Sequence, residues 1–339
     1  MSIGLDIGTS SIKVVELSGQ GKTVVLKSAG AVAYSGVEID PNMKDEKAMA
    51  DLANLIKKLF KDAKITGKDI TLALPETQVF TRVMQFPLLN DQEIASAVKW
   101  EAEEYIPIPL ADAIVEHQIL ERRENSTPPS VMVLLVAVLR SLVENYVQVL
   151  ELAGLNVVAV ETELVAMTRS LAPEKGTAMI IDFGNKSTDM AIAKDGAIYF
   201  TRSLPTAGLA FTRAVAQALN ANLPQAEQYK KTYGMDNTQL EGKVGQALLP
   251  IMRTIAQEIK KAIHYYQLNL KGDLPTSIIL SGGSSGMRGV TPLMTNLLGI
   301  EVNMGSPFAN VKVDETAAQS LANFTPLYSV AVGLAMRGE

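Results

Sequence analysis

Cysteine is absent from this chain of 339 residues, and histidine occurs only at positions 117 and 264. Without cysteine the protein forms no disulfide, holds no thiolate zinc site and uses no cysteine nucleophile. His117 and His264 are far apart in sequence, so neither a histidine zinc site nor a catalytic triad is indicated. The lack of cysteine fits a reducing compartment.

The chain also lacks an excess of basic residues. Its 31 Lys and Arg stand against 36 Asp and Glu, which gives a net charge of −5, and the basic residues form no long blocks. Proteins that bind nucleic acid draw much of their affinity from Lys and Arg side chains on phosphates. The composition therefore argues against a nucleic acid partner.

Long apolar runs are missing as well. The longest, Val131–Leu139, ends at Arg140 after nine residues, whereas a membrane-spanning helix needs about 20. The first residues of the chain have neither the basic start nor the apolar stretch of a signal peptide. We therefore expect a soluble, cytosolic protein without direct membrane insertion.

What the chain does contain is an alternation of strands and helices, which predicts an α/β fold, and its length favours two lobes. Strands are predicted at Ser2–Ile7, Ser11–Leu17, Thr23–Ala33, Ile70–Leu74, Val79–Phe86, Ala113–Leu120, Val131–Leu139, Val157–Val160 and Ser277–Leu280, with three more between Thr177 and Leu204. Helices are predicted at Lys44–Lys61, from the Asn90 cap to Tyr105, at Ser141–Ala153, at Thr162–Leu171, throughout Leu209–Leu270 and at Tyr328–Met336.

One pattern occurs twice, once in each half of the chain. Residues 4–17 read GLDIGTSSIKVVEL and residues 180–193 read IIDFGNKSTDMAIA, so Asp182 follows Asp6 at an offset of 176. Each stretch consists of a strand, an Asp-x-Gly sequence, a short polar turn and a second strand. In both halves this hairpin opens a run of three strands, which predicts two similar α/β lobes that face each other.

The two turns have the composition of a phosphate site, because glycine lets backbone N–H groups approach an anion and hydroxyls and lysines add donors. The candidate phosphate contacts are Gly8, Thr9, Ser10, Lys13, Gly184, Asn185, Lys186, Ser187 and Thr188. Asp6 and Asp182 would repel phosphate directly, but together they can hold a hydrated Mg2+. The alternative is two ordinary hairpin turns, in which Asp-x-Gly is common. Two aligned copies favour the phosphate site.

A glycine-rich turn follows another predicted strand, in the stretch SIILSGGSSGMRGV at residues 277–290. Its bare backbone can pack against a flat ring or a phosphate, with Gly282, Gly283, Ser284 and Met287 as candidate contacts. The signal is weak alone, because glycine also serves ordinary strand-to-helix turns. Neither the P-loop pattern nor a GxGxxG after a strand is present.

In order and spacing, the two hairpins and this turn resemble the phosphate-1, phosphate-2 and adenosine motifs of the superfamily of actin, heat-shock chaperones and sugar kinases. The resemblance implies an actin-like (ribonuclease H-like) two-lobed fold that binds ATP and Mg2+, with at most slow ATPase activity. Residues 154–171 resemble the first connecting motif, which makes Glu163 the candidate catalytic residue that orients the attacking water. Leu164 stands where the superfamily usually has proline, and Glu163 is equally consistent with an ordinary acid in a helix's first turn.

A short helical stretch, AEQYK at residues 226–230, resembles a sequence that contacts ribose or adenine in bacterial actin relatives. The resemblance makes Glu227 and Lys230 candidate cofactor contacts. The alternative is an i, i+3 ion pair on a solvated helix face.

The segment Glu76–Leu155 is an insertion relative to the superfamily pattern, placed as in the division protein FtsA and in the PilM family of type IV pilus assembly proteins. Its details, such as KWEAEEYIP at 99–107, are similar to PilM. That resemblance implies an ATP-binding scaffold that binds the N-terminal cytoplasmic peptide of the inner-membrane protein PilN. PilN would recruit it to the assembly platform at the inner face of the cytoplasmic membrane. We interpret Trp100 as part of the insertion's own core.

The same resemblance divides the chain into four parts. They are a first lobe at 1–76 that is completed by 156–174 and 326–339, an inserted β-α-β-β-α subdomain at 77–155, a second lobe at 175–208 and 273–325, and a helical subdomain over the nucleotide cleft at 209–272. Two alternatives stay open: a polymerising, self-associating ATPase like FtsA, and a small-molecule kinase. No Asp-rich acceptor motif of a sugar kinase is present, and the chain stops where FtsA relatives usually continue into a membrane-binding helix.

Overall fold

The computed structural model describes residues 1–19, 24–322 and 324–337. The start of the predicted third strand at Thr23 and the last two residues of the predicted first lobe lie outside the described residues. The strands are β1 Ser2–Ile7, β2 Ser11–Ser18, β3 Val25–Ala33, β4 Asp69–Leu74, β5 Val79–Pro87, β6 Ala113–Arg123, β7 Ser130–Leu139, β8 Asn156–Thr162, β9 Thr177–Phe183, β10 Thr188–Lys194, β11 Ala197–Leu204, β12 Ser277–Ser281 and β13 Val302–Met304.

The described residues form ten α-helices. They are α1 Glu46–Asp62, α2 Asp91–Tyr105, α3 Arg140–Leu152, α4 Glu163–Leu171, α5 Gly208–Leu219, α6 Leu223–Tyr233, α7 Lys243–Asn269, α8 Val290–Leu298, α9 Glu315–Leu321 and α10 Ser329–Ala335. Eight of them lie close to the predicted helical segments, whereas α8 and α9 were not predicted. Within the described ranges, no helix combines the length and the apolar character needed to cross a membrane.

Two five-stranded sheets share one topology. The first has the order β3-β2-β1-β4-β8 and the second the order β11-β10-β9-β12-β13. In each sheet an antiparallel run of three strands is extended by two strands parallel to its first member. The repeat in the sequence is therefore a repeat of the fold, and the prediction of an α/β chain with two similar lobes is confirmed.

The core of the first sheet is closed by α1 and α3. Helix α1 begins at an Asp45 cap, whose side chain accepts the Ala48 N–H, and its apolar residues recur at three- and four-residue spacing. The buried face of α3 joins the same core: Leu142, Tyr146, Val149 and Leu150. The division at 77–155 remains a prediction, but α3 packs with the first lobe because its apolar stripe joins the core that α1 closes.

The second sheet packs against the helical segment and above all against α7, which has 27 residues. Ile255, Ile259, Ile263 and Tyr266 lie at helical spacing on one face and are buried in this core. This is the apolar face that the sequence predicts for the long helix.

A third sheet, with the order β5-β7-β6, forms the inserted region together with α2. The central strand β7 is buried on both faces: Val133 and Leu135 pack in the core shared with α2, whereas Leu134 joins a cluster with the second lobe. Burial on both sides explains why β7 appears in the sequence as a continuous apolar run rather than as an alternating strand.

The interpretation of Trp100 as a core residue of the insertion is wrong, because its side chain is 76% exposed. Helix α2 buries Ile94, Val98 and Ala102, which recur every four residues. Trp100 lies two residues from both Val98 and Ala102 and therefore points to the opposite side of the helix.

Helix α10 is buried along its whole length and crosses between β1 and α4. Its small residues allow this close approach, since a Cβ added to Gly333 would lie 1.8 Å from the carbonyl oxygen of Ala166 in α4. The small-residue helix predicted at the end of the chain thus joins elements of both parts of the first lobe.

Candidate functional site

A cavity of about 890 Å3 opens between the two five-stranded sheets. Every candidate residue from the sequence except Thr188 lines it. These residues are Asp6, Gly8, Thr9, Ser10, Lys13, Glu163, Asp182, Gly184, Asn185, Lys186, Ser187, Glu227, Lys230, Gly282, Gly283, Ser284 and Met287. The fold therefore brings together side chains that are up to 281 positions apart in the chain.

The two Asp-x-Gly turns have the same backbone hydrogen bond. In the first, the Gly8 N–H donates to the carbonyl of Ser11 over 3.1 Å; in the second, the Gly184 N–H donates to the carbonyl of Ser187 over the same distance. Because β1 and β9 start equivalent sheets, the two turns face the cavity from opposite sides. This pair of opposed turns is what a clamp around a chain of phosphates requires.

Thr188 lies outside the cavity. It is fully buried at the start of β10, and its hydroxyl donates to the carbonyl oxygen of Thr206 over 2.7 Å. The hydroxyl is therefore already used within the second lobe, and we do not include Thr188 among the phosphate contacts proposed below.

The charge of the first turn is balanced. Lys13 donates from Nζ to Asp6 Oδ2 over 2.9 Å, and both side chains are buried. Burial by itself lowers the pKa of the Lys13 ammonium, but the carboxylate of Asp6 raises it above its ordinary value. Lys13 is thus a fixed cation at the floor of the cavity.

The charge of the second turn is not balanced. Cross-strand pairing places Asp6 opposite Lys13 in the first hairpin, and it places Asp182 opposite Asp189 in the second. Oδ1 of Asp182 and Oδ1 of Asp189 are both buried without a hydrogen-bond partner among the described residues. Burial, followed by the charge of Asp189, raises the pKa of Asp182 to about 7.

Asp189 lines the cavity and is the main functional candidate that the sequence reasoning missed. Its Oδ2 accepts the Ser187 hydroxyl over 2.6 Å, and burial raises its pKa. A signal for it was available, since Asp189 lies at the same offset of 176 from Lys13 that relates the two turns. At this position the two halves differ by the exchange of a base for an acid.

The cavity has the chemistry of a site for a hydrated divalent cation. No group of three or more Asp, Glu or His side chains surrounds one point in the described part of the chain. The buried oxygen of Asp182 without a partner, beside Asp189 and across from Asp6, supplies one or two carboxylates of the kind Mg2+ uses while it keeps its waters. The residues therefore fit a partly hydrated Mg2+ and do not form a closed all-protein metal cage.

The glycine-rich turn closes the cavity behind the second hairpin. Gly282 has φ +82°, and a Cβ added there would lie 2.0 Å from Oδ1 of Asp182, so only glycine lets this backbone come so close. The Ser284 N–H donates to the carbonyl of Phe183 over 3.0 Å. These contacts fix the turn against the strand that carries Asp182.

Glu163 is the first residue of α4 and also lines the cavity, so both interpretations of it describe its position. Its Oε2 accepts the backbone N–H of Glu76 over 3.3 Å. Burial raises its pKa well above the ordinary value, and the charges of Asp6 and Asp182 add to this effect.

Glu227 and Lys230 form the expected i, i+3 ion pair over 2.7 Å, but Lys230 is buried rather than solvated. Its Nζ also donates to the carbonyl of Gly208 over 3.1 Å and to the Thr212 hydroxyl over 3.0 Å. Burial alone would raise the pKa of Glu227, but hydrogen bonds from Lys230 and Thr212 lower it. The pair forms a rigid polar patch on the cavity wall.

Comparison with known proteins identifies the family. The family model for the type IV pilus assembly protein PilM matches residues 4–339. This chain belongs to the PilM family. Among solved structures, a chain of the PilM-PilN type IV pilus biogenesis complex is similar with a TM-score of 0.85 and 28% identity, over 99% of this chain and 98% of that one.

More distant relatives share the superfamily fold. MreB5 of Spiroplasma citri, in a structure bound to AMPPNP, aligns with a TM-score of 0.56 and 17% identity over 98% of this chain and 93% of that one, which shows the actin-like fold alone. The cell division protein FtsA of Pseudomonas aeruginosa is 30% identical over 179 residues. That match covers 47% of this chain and 41% of the FtsA sequence, so it spans less than half of each protein.

Proposed function

We propose that this PilM-family chain binds ATP with Mg2+ in the cavity between its lobes and, in that form, binds PilN during type IV pilus assembly. The observation that carries the nucleotide site is the pair of opposed turns with identical Gly-to-Ser hydrogen bonds. The cavity of about 890 Å3 is within the range of small-molecule sites, roughly 300–1,000 Å3.

We assign each part of the nucleotide to a set of residues in the cavity walls. The N–H groups and hydroxyls of the turns at Gly8–Ser10 and Gly184–Ser187 would hold the phosphates, with Lys13 as the fixed cation between them. Asp182 and Asp6 would hold the hydrated Mg2+, which when bound neutralises phosphate charge. The remaining wall would hold ribose and adenine: Glu227, Lys230, Gly282, Gly283, Ser284 and Met287.

We assign to Glu163, a further carboxylate in the cavity wall, the role of positioning a water. Its side chain faces the phosphate turns from the N-terminus of α4, where it can accept a hydrogen bond from a water beside the phosphates. As the family resemblance implies, we expect hydrolysis at this site to be slow.

Family membership and the similar chain in a PilM-PilN complex support PilN as the partner. We assign the binding site to the groove between the first lobe and the inserted sheet, and its ligand to the extended N-terminal cytoplasmic peptide of PilN. Binding of that peptide would hold the protein at the inner face of the cytoplasmic membrane and connect it to the assembly platform.

The test separates the two ligands. Purified protein, stripped of nucleotide, is titrated with Mg-ATP by calorimetry and with a labelled PilN N-terminal peptide by fluorescence anisotropy, with a scrambled peptide as control. We expect saturable binding of ATP and of the native peptide, and no binding of the scrambled peptide. Absence of ATP binding would reject the nucleotide site, and absence of peptide binding up to millimolar concentration would reject PilN as the partner.

A further inference from the structure

Two hydrogen bonds join Glu76 to the start of α4, one at Glu163 and one at Leu164. The carboxylate of Glu76 accepts the N–H of Leu164 over 3.0 Å, while the N–H of Glu76 donates to the carboxylate of Glu163 over 3.3 Å. Leu74 and Thr162 are neighbours in the parallel pair β4–β8, so the two glutamates leave the sheet side by side. Both bonds therefore span 87 or 88 positions of sequence.

The Glu76 side chain is buried, with 7% of the residue exposed. It satisfies one of the free N–H groups in the first turn of α4, and the Thr162 hydroxyl satisfies the next, at Val165. Burial raises the pKa of Glu76 to about 7, with a smaller contribution from the charge of Asp189, although hydrogen bonds from Thr162 and Leu164 oppose the shift. A buried acid without a role in helix capping would cost stability at this position.

The segment around Glu76 connects the cavity to the inserted sheet. Pro75 and Thr77, on either side of it, line the cavity, and β5 begins at Val79. The insertion reaches the same turn of α4 a second time, because Leu134 of β7 and Leu164 lie in one buried cluster. The first turn of α4 therefore contacts the inserted region at two places: the segment that leads into β5, and Leu134 of β7.

We propose that Glu76 is a positioning residue that sets Glu163 at the nucleotide and couples the occupancy of the cavity to the inserted sheet. The coupling rests on the proposed function, since it assumes that ATP occupies the cavity. The Glu76 side chain acts through the backbone: by capping α4 it holds its own N–H against the carboxylate of Glu163. Loss of the cap frees the cavity wall at Pro75–Thr77 and the acid together.

The test compares Glu76→Ala with Glu76→Gln, which keeps an oxygen acceptor for the Leu164 N–H. Glu116→Ala is the control, because Glu116 lies exposed on β6 in the same sheet. Hydrogen–deuterium exchange is followed in residues 76–87 and 163–168 of the full chain, with and without Mg-ATP. Thermal melting establishes that each variant is folded, and calorimetry measures its affinity for ATP.

Without nucleotide, we expect exchange at the first turn of α4 to rise at least tenfold in Glu76→Ala, and to match wild type in Glu76→Gln and Glu116→Ala. With ATP, residues 76–87 should gain protection in wild type, Glu76→Gln and Glu116→Ala but not in Glu76→Ala. Unchanged exchange in Glu76→Ala without nucleotide, or wild-type protection of its 76–87 segment with ATP, would overturn the inference.

A failure of the proposed function has a different signature. If wild type binds no ATP in the calorimeter, the nucleotide site and the coupling to it are both rejected. The hydrogen-bonded lock between Glu76 and α4 is still decided by the exchange measured without nucleotide. Failure of Glu76→Gln to restore the wild-type exchange of residues 163–168 would reject that lock.

Discussion

The two Asp-x-Gly turns share a backbone hydrogen bond but differ in the charges that face their aspartates. Asp6 faces Lys13 across the first hairpin, whereas Asp182 faces Asp189 across the second. The first pair neutralises itself, and the second accumulates buried negative charge. The first turn is therefore neutral on its own, whereas a cation would neutralise the carboxylates of the second, and we propose that the second lobe holds Mg2+ chiefly.

The largest expected effect is on the affinity for Mg-ATP. Asp182→Asn removes the carboxylate with the free buried oxygen, and we expect a loss of about 1,000-fold, or about 4 kcal/mol. Asp6→Asn should lose only about tenfold, because Lys13 is released toward the phosphates and compensates in part. Calorimetric titration of both variants with Mg-ATP makes the comparison, and equal losses would contradict the asymmetry between the turns.

The same two substitutions should have opposite effects on the stability of the nucleotide-free protein. Asp6→Asn leaves the Lys13 ammonium buried without its carboxylate and should lower the free energy of unfolding by about 3 kcal/mol. Asp182→Asn removes a buried repulsion and should raise it by about 1 kcal/mol at pH 8. Urea denaturation with EDTA measures both values. A loss of stability in both variants would show that repulsion between Asp189 and Asp182 does not destabilise the folded protein.

The pH dependence of stability should also differ. Because the pKa of Asp182 is raised to about 7 in the folded chain, the folded state binds the proton more tightly, and stability falls as the pH rises from about 4 to 7. Between pH 5 and pH 8 wild type should lose on the order of 2 kcal/mol more than Asp182→Asn. Urea titrations at a series of pH values test this, and parallel curves would contradict it.

The smallest expected effect concerns Lys186, which pairs with Glu38 of the first lobe across the mouth of the cavity. The equivalent position in the first turn is Ser10, so Lys186→Ser makes the second turn more like the first. Both partners of the pair are more than a third exposed, and we expect a change in unfolding free energy below about 1 kcal/mol. A larger loss in urea denaturation would show that this pair holds the lobes together.

Much of the site was predictable because its residues lie in short stretches with strong local signals. Asp-x-Gly turns between strands, and a glycine-rich turn after a buried strand, keep their geometry wherever they occur. Asp6, Gly8, Asp182, Gly184 and Gly282 therefore line the cavity as predicted. The periodicity of α1 and α7 likewise placed their buried faces, since one apolar stripe decides the packing of such a helix.

The failures are side chains whose role depends on a partner far away in sequence. Thr188 has a hydroxyl that suits a phosphate contact, but this hydroxyl donates a hydrogen bond to the backbone carbonyl of Thr206. Trp100 has a large apolar side chain typical of a core, but its position in α2 places it on the exposed face of that helix. Glu76 carried no signal at all, because its role arises from the pairing of β4 with β8.

The sequence by itself determined the two-lobed α/β fold, the two Asp-x-Gly turns and the absence of cysteine chemistry, since each follows from local pattern or from composition. Only the tertiary structure decided which carboxylates are balanced. Lys13 neutralises Asp6 in the first hairpin, whereas the equivalent residue of the second hairpin, Asp182, faces another acid, Asp189. Charge balance depends on burial and on cross-strand neighbours, and these exist only once the strands have paired.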